Sequence, residues 1–154
     1  MIATYSAQPA KDRLQLISWV IFNYLIGNAD AHAKNLSLLI TSGGISLAPF
    51  YDLISTAVYP DLTLNLALKI GGENRPEWIQ ERHWEAFAGI SGANPRIVWK
   101  TMADLSAAIT QKARELLADL GLENDEHDVV DRICSLVEAR ASRLIKFAKT
   151  REYI

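Results

Sequence analysis

Apolar residues recur at helical spacing over most of the chain, and a short stretch with a different pattern interrupts them early. Before this stretch, four apolar positions follow steps of three and four: Leu14, Ile17, Ile21 and Leu25. Pro9 is acceptable in a first helical turn, and Gly27 lies where a helix stop is expected. The pattern therefore predicts a first helix over residues 9–26.

Three further helices are predicted in the second half of the chain, over residues 77–90, about 95–120 and about 126–149. The first of them is stopped by "SGANP" and the second by Gly121. The inner faces of the last two carry Val98, Met102, Leu105, Ile109, Leu116 and Leu120, and then Val130, Ile133, Val137, Leu144 and Ala148. We expect these faces to form a core with the first helix.

Two short apolar runs, "NLSLLI" and "GISLA", follow the first helix and are separated by "TSGG". Short apolar runs around a tight, glycine-bearing turn predict an antiparallel hairpin, here of residues 36–40 with residues 45–49. The later run "LNLALKI", residues 64–70, is compatible with a strand or a short helix. The predicted fold is mainly α, with one small β element.

Composition and charge narrow the class of protein. A chain of 154 residues is long enough for one domain with a core, and its net charge of −2 disfavours nucleic-acid binding by bulk positive charge. No secretory signal and no membrane-spanning stretch is visible, so we expect a cytoplasmic protein. The single cysteine, Cys134, excludes an internal disulfide and a multi-cysteine metal site.

The candidate chemistry lies in the polar interruption, "LIGNADAHAKNLSLLI". A hairpin directly after Asn35 returns the chain to its starting point, so Asp52 should come close to Asn35, with Asp30 five positions upstream in the same loop. Phosphoryl transfer needs a carboxylate that orients the attacking hydroxyl, together with oxygen ligands for Mg²⁺. Asp30, Asn35 and Asp52 would supply both.

The stretch "LIGNADAHAKNLSLL" followed by "LAPFYDLIST" resembles the catalytic loop and metal-binding segment of the HipA-like serine/threonine kinases, the bacterial toxins of type II toxin–antitoxin modules. The lead-in "AKDRLQLISWVIFNYL" and the helical tail extend the resemblance over residues 1–154, as the helical C-terminal lobe of that protein-kinase-like fold. The resemblance implies ATP and Mg²⁺ as cofactors and transfer of the γ-phosphoryl group to a Ser or Thr hydroxyl of a protein.

The same resemblance implies a role for each site position. Asp30 corresponds to the catalytic base, and Asn35 and Asp52 correspond to the Mg²⁺ ligands. The remaining cofactor-binding positions are His32 and Lys34, in the stretch that contacts the phosphates, and Tyr51, beside the metal ligand. The implied partners are a protein substrate (an aminoacyl-tRNA synthetase for characterised toxins), the antitoxin of the same operon and, only through that antitoxin, DNA; no membrane is implied.

Several alternatives stay open. Only 29 residues precede Asp30, too few for a nucleotide-binding lobe. We therefore expect a fragment of a longer kinase, a truncated gene product or half of a split enzyme, and we expect it to bind ATP poorly alone. A catalytically silent lobe that docks an antitoxin or a partner lobe is the alternative function, and a small-molecule kinase of the aminoglycoside-phosphotransferase type is a third.

At the site itself, zinc bound by His32, Asp30 and Asp52 competes with the kinase interpretation, as does a solvated loop in which Asn and Asp serve turns. The closing helix carries regularly spaced basic residues: Arg140, Arg143, Lys146, Lys149 and Arg151. For these residues a solvated face is favoured over a nucleic-acid-binding face.

Overall fold

The computed structural model describes residues 5–119 and 124–151. Their regular elements are the helices and strands α1 (Pro9–Ile26), β1 (Leu38–Thr41), β2 (Gly44–Leu47), α2 (Glu81–Ser91), α3 (Pro95–Asp119) and α4 (Asn124–Arg151). Two 3₁₀ turns, Ala33–Asn35 and Pro76–Trp78, precede the hairpin and α2 respectively. The prediction of a mainly α fold with one small hairpin is confirmed.

The element boundaries differ from the predicted ones in two places. The helix predicted over residues 77–90 begins only at Glu81, because Pro76–Trp78 forms a 3₁₀ turn and Ile79 after it is extended. Residues 64–70 form neither a strand nor a helix; their backbone is irregular apart from an isolated bridge between Ile70 and Glu73. The predicted end of the third helix at Leu120 lies outside the described residues.

The hairpin has shorter arms than predicted. Its register pairs Leu38 with Leu47 and Thr41 with Gly44, which leaves a two-residue turn. Gly44 has φ 103°, a backbone conformation that favours glycine. The other edge of β2 is covered by the segment before α1, since the Ala7 N–H donates to the Ile45 carbonyl at 2.7 Å. This contact places the hairpin beside the start of α1.

The core lies where the four helices meet. Its buried members from the helices include Ile17, Ile21, Tyr24, Leu25, Trp84, Ala88, Val98, Met102, Ala141 and Leu144. The predicted inner positions of α1 are confirmed except Leu14, whose exposed fraction is 42%, and Leu116 of α3 is likewise exposed. The apolar pattern of both helices therefore extends beyond the face that the neighbouring helices cover.

Arginines of α4 bind the protein's own backbone. Arg132 Nη1 donates to the Val58 carbonyl at 3.1 Å, and Arg143 Nη2 donates to the Glu77 carbonyl at 3.1 Å. Arg140 Nη1 donates to the Tyr24 carbonyl. The predicted solvated basic face is therefore wrong for Arg140 and Arg143, which are half-buried. Arg140 fastens α4 to α1, and Arg143 fastens α4 to the 3₁₀ turn at Pro76–Trp78.

Lys146 and Lys149, farther along α4, are exposed, as the prediction of a solvated face requires. The side chain of Arg151 lies outside the described part of the chain. None of the described helices combines the length and the apolar character that crossing a bilayer requires.

Candidate active site

The polar loop begins at a sharply defined helix end. Gly27 follows α1 with φ 75°, and its N–H donates to the Tyr24 carbonyl at 3.3 Å. A Cβ at this position would lie 2.8 Å from Leu136 Cδ2 and 2.9 Å from Ala57 Cβ. Both the left-handed backbone and the close packing require glycine. The start of the loop is therefore held in one place.

The segment after the hairpin is hydrogen-bonded to this loop. The N–H groups of Thr56 and Ala57 both donate to the Gly27 carbonyl, at 3.1 and 3.0 Å. Thr56 Oγ1 accepts a hydrogen bond from the Ala29 N–H at 2.8 Å. Backbone groups of Gly27 and Ala29 are thus bonded by residues 56–57, which aligns the two segments that carry the candidate site.

Asn35 and Asp52 are in direct contact. Asn35 Nδ2 donates to Asp52 Oδ2 at 2.6 Å, and Asn35 Oδ1 accepts from the His32 N–H at 2.9 Å. Asn35 is buried at the end of its 3₁₀ turn, while Asp52 is exposed. The hairpin leaves from Asn35 and returns next to it, so the two side chains come together as the folding pattern predicts.

Asp30 is open to solvent at the same loop. The exposed fraction of its side chain is 67%, and its Oδ1 lies 4.0 Å from His32 Nε2. That distance is too long for a hydrogen bond, and an exposed pair of this kind contributes little to stability. The structure therefore fixes the Asp30 backbone and leaves its carboxylate accessible to another molecule.

Tyr51 folds back onto the loop. Its hydroxyl donates to the Lys34 carbonyl at 2.9 Å and lies 3.4 Å from Ser37 Oγ. The Lys34 side chain is exposed. Tyr51 therefore supports the backbone that carries Lys34, next to the Asn35–Asp52 contact.

Sequence reasoning missed the residues beneath the loop: Asn23, Asn28 and Thr56. All three are buried, and their side chains form hydrogen bonds that link α1, the loop and residues 52–56. A polar residue on the apolar face of a helix, such as Asn23, is a signal that could have identified this layer, because a buried amide needs hydrogen-bond partners.

The oxygen atoms of Asn35 and Asp52 are of the kind that Mg²⁺ prefers as ligands. This ion prefers hard oxygen ligands and is commonly bound through one or two carboxylates together with substrate phosphates. Asp52 supplies an exposed carboxylate, and the Asn35 amide oxygen has a second lone pair besides the one that accepts from His32. Zinc is not supported, since the described residues contain no group of three His, Cys, Asp or Glu side chains placed to share a metal.

Comparison with known proteins places this geometry in a family context. A family model described as the HipA-like C-terminal domain matches residues 1–117. Y4mE of Sinorhizobium fredii, named as a candidate kinase, is 36% identical over 119 residues, which cover 77% of this chain and 28% of that protein. The serine/threonine-protein kinase toxin HipA of Shewanella oneidensis is 31% identical over 147 residues, 95% of this chain and 34% of that protein.

A solved structure shares the fold over almost the whole chain. It is the complex of HipA, HipB and operator DNA from Shewanella oneidensis, with a TM-score of 0.90 and 29% identity over 99% of this chain and 36% of that one. The chain thus spans about a third of the length of the relatives it matches.

Proposed function

The chain belongs to the family of HipA-like C-terminal domains, and on that premise we propose that residues 1–154 form the catalytic lobe of a HipA-type serine/threonine protein kinase. The observation that carries the proposal is the 2.6 Å contact between Asn35 and Asp52, with Asp30 exposed in the loop that leads to Asn35. Phosphoryl transfer requires a carboxylate open to the substrate together with an amide and a carboxylate that can hold the metal ion.

Asp30 is the proposed catalytic base. A carboxylate is a weak base at neutral pH, but this is sufficient because phosphoryl transfer depends on the positioning of the groups more than on base strength. The Asp30 N–H donates to Asn28 Oδ1 at 3.1 Å, which holds the backbone. The solvent-facing carboxylate can then accept a hydrogen bond from the hydroxyl of a Ser or Thr side chain and take its proton.

Asn35 and Asp52 are the proposed ligands of Mg²⁺. They would hold the ion, whose positive charge would offset the negative charge that develops on the phosphates of ATP during transfer. The two protein side chains hold each other in place, since one Asn35 N–H bonds Asp52 while the amide oxygen is tied to the His32 backbone. Because each side chain is already restrained by the other, little side-chain conformational entropy is lost when they bind an ion.

Lys34, His32 and Tyr51 complete the proposed nucleotide-binding set. The exposed Lys34 ammonium can approach a phosphate as a point charge. Tyr51 contributes through the Lys34 carbonyl that it binds. His32 contributes its backbone N–H to Asn35, and its half-buried ring lies near Asp30.

The cellular setting is part of the same proposal. The relatives are named as kinases and one solved neighbour is a complex with HipB and operator DNA. We extend to this chain a cytoplasmic location, a protein substrate such as an aminoacyl-tRNA synthetase, an antitoxin of the same operon and DNA association only through that antitoxin. A catalytically silent lobe that docks such a partner is the competing function.

A chimera tests the proposal. Residues 1–154 replace the matching third of the Shewanella oneidensis HipA, and phosphate transfer from labelled ATP to protein is measured with Mg²⁺. Asp30→Asn is expected to lower kcat by roughly 10²–10⁴-fold, because the base is lost. Asp61→Asn, the same chemical change at an exposed position, should leave kcat unchanged.

The outcomes separate the candidate functions. Undiminished transfer in the Asp30→Asn chimera excludes Asp30 as the base. Binding of Mg·ATP without transfer, or no binding at all by a folded chimera, favours the docking lobe. Phosphate on an added aminoglycoside instead of on protein favours the small-molecule kinase.

A further inference from the structure

Asn28 is a buried amide whose hydrogen-bonding capacity is directed at the candidate site. Only 2% of the residue is exposed. Its Nδ2 donates to the Asp52 backbone carbonyl at 2.9 Å and to Asn23 Oδ1 at 2.8 Å, and its Oδ1 accepts from the Asp30 N–H at 3.1 Å. One side chain therefore connects the backbone of the proposed base, which precedes the hairpin in the chain, with the backbone of a proposed metal ligand, which follows it.

Asp52, whose carbonyl accepts a hydrogen bond from Asn28, has an unusual backbone conformation. Asp52 has φ 58°, and among the described residues it is the only non-glycine with a positive φ. Left-handed backbone is unfavourable for residues with a Cβ and persists where the surroundings hold it in place. The Asp52 carboxylate is bonded by Asn35, and the Asp52 backbone carbonyl is bonded by Asn28. The restraint from Asn28 therefore acts on the backbone of Asp52.

Asn28 is itself restrained by a residue of α1. Asn23, which accepts a hydrogen bond from Asn28, donates its own Nδ2 to the Trp19 carbonyl one turn earlier in α1, at 2.8 Å. The restraint on Asp52 therefore passes through Asn28 and Asn23 to the buried first helix. A rigid support of this kind is what orients a metal-ligating carboxylate.

We infer that Asn28 is a positioning residue that holds Asp52 in its left-handed conformation and thereby aims the Asp52 carboxylate at Asn35 and the bound divalent ion; this inference rests on the proposed function. Without the amide donor, the Asp52 carbonyl is free to turn, the backbone relaxes to negative φ, and the carboxylate leaves Asn35. Asn28 acts through Asp52 and does not touch the reacting groups.

The experiment compares Asn28→Ala with Thr56→Val in the 154-residue chain. Both changes remove buried hydrogen bonds between the same two segments, but only the first removes a bond to Asp52. Two signals are measured by NMR: the backbone chemical shifts of Asp52 without metal, which report its φ, and the broadening of the Asn35 and Asp52 signals by Mn²⁺, which yields a Kd.

Asn28→Ala is expected to move the Asp52 shifts away from left-handed values and to weaken Mn²⁺ binding by about tenfold or more, the usual effect of losing a group that orients a ligand. Thr56→Val should leave the Asp52 shifts near their wild-type values and weaken Mn²⁺ binding much less, because the Thr56 and Ala57 N–H groups still bond the Gly27 carbonyl and keep the two segments aligned. The inference is overturned if Asp52 stays left-handed with wild-type Mn²⁺ affinity in Asn28→Ala, or if Thr56→Val weakens binding equally.

Two additional variants keep the outcome interpretable. If Asn28→Ala fails to fold, Asn28→Asp takes its place, since it retains the size and the acceptor for the Asp30 N–H but cannot donate to Asp52 when ionised; the Asp52 shifts then decide. Asp52→Asn tests the proposed metal site alone. Unchanged Mn²⁺ affinity in that variant contradicts the metal site, while the Asp52 shifts still decide whether Asn28 holds the backbone.

Discussion

The guanidinium of Arg140 lies over the ring of Tyr24, 5.0 Å from the ring centroid, and donates a hydrogen bond to the Tyr24 backbone carbonyl. The two residues are 116 positions apart, so this contact fastens the last helix to the end of the first, three residues before Gly27. Burial lowers the pKa of Arg140 and raises the pKa of Tyr24, because both charged forms lose hydration. Arginine nevertheless stays charged, and its charge suits the negative end of α1.

Replacing Arg140 should therefore destabilise the lobe. We expect Arg140→Ala to lower the free energy of unfolding by about 2 kcal/mol, from the lost charged hydrogen bond and the contact with the ring. Urea denaturation measures this change in the free energy of unfolding. Lys146→Ala, on an exposed position of the same helix, should stay within about 0.5 kcal/mol of wild type. Equal stability of the two variants would contradict the role given to Arg140.

Alanine substitutions at Gly27 and Gly89 should change the free energy of unfolding in opposite directions. Gly27→Ala combines a left-handed backbone with overlap against Leu136 and Ala57 and should cost at least about 2 kcal/mol of unfolding free energy. Gly89 lies within α2 with no atom near its added Cβ, so Gly89→Ala should stabilise by roughly 0.5–1 kcal/mol. Thermal unfolding of both variants checks this, and a stable Gly27→Ala would show that the loop start can move.

Asp12 should hold the hairpin against α1. Its buried carboxylate accepts hydrogen bonds from the Ser6 hydroxyl at 2.7 Å and from the Leu47 N–H at 2.9 Å. Asp12→Ala leaves the Leu47 N–H without its partner, and we expect a loss of about 2–3 kcal/mol. Amide hydrogen exchange of Leu47 should accelerate together with this loss. Ser6→Ala, which keeps the Leu47 bond, should accelerate it much less; equal acceleration would contradict the role of the carboxylate.

The Glu73 carboxyl should titrate far below its ordinary value. The Arg75 side chain donates to both Glu73 oxygens, and with backbone N–H donors it lowers the pKa of Glu73 from 4.5 to about 2. A lowered pKa contributes stability that is present above the ordinary value and is lost as the pH falls towards 2. An NMR titration of the Glu73 carboxyl measures this pKa directly.

Arg75→Gln provides the comparison for that titration. It should raise the pKa of Glu73 only part of the way to 4.5, because the Asn74 N–H and the backbone N–H at position 75 still donate to the carboxylate. An unshifted Glu73 in the wild-type chain would show that the Arg75 contact does not persist in solution. A full return to 4.5 would show that the backbone donors contribute nothing.

Local patterns explain why much of the fold was predictable. The three- and four-residue spacing in α1, α3 and α4 and the glycine turn between β1 and β2 depend on residues close together in the chain. The predicted start of α2 at residue 77 was wrong because the local pattern does not distinguish the helix from the separate 3₁₀ turn that Pro76 starts before it. The exposed positions Leu14 and Leu116 show that periodicity does not say how far a neighbouring helix reaches.

By itself, the sequence determined the elements, the family resemblance and the meeting of Asn35 with Asp52, because a hairpin brings its two flanks together wherever it stands in a fold. Only the tertiary structure decided which groups support that meeting. The bonds from Asn28 to Asp52 and from Arg140 to Tyr24 join residues 24 and 116 positions apart. A buried amide or guanidinium must find a partner, but its partner depends on which chain segment packs beside it, and no local pattern records that choice.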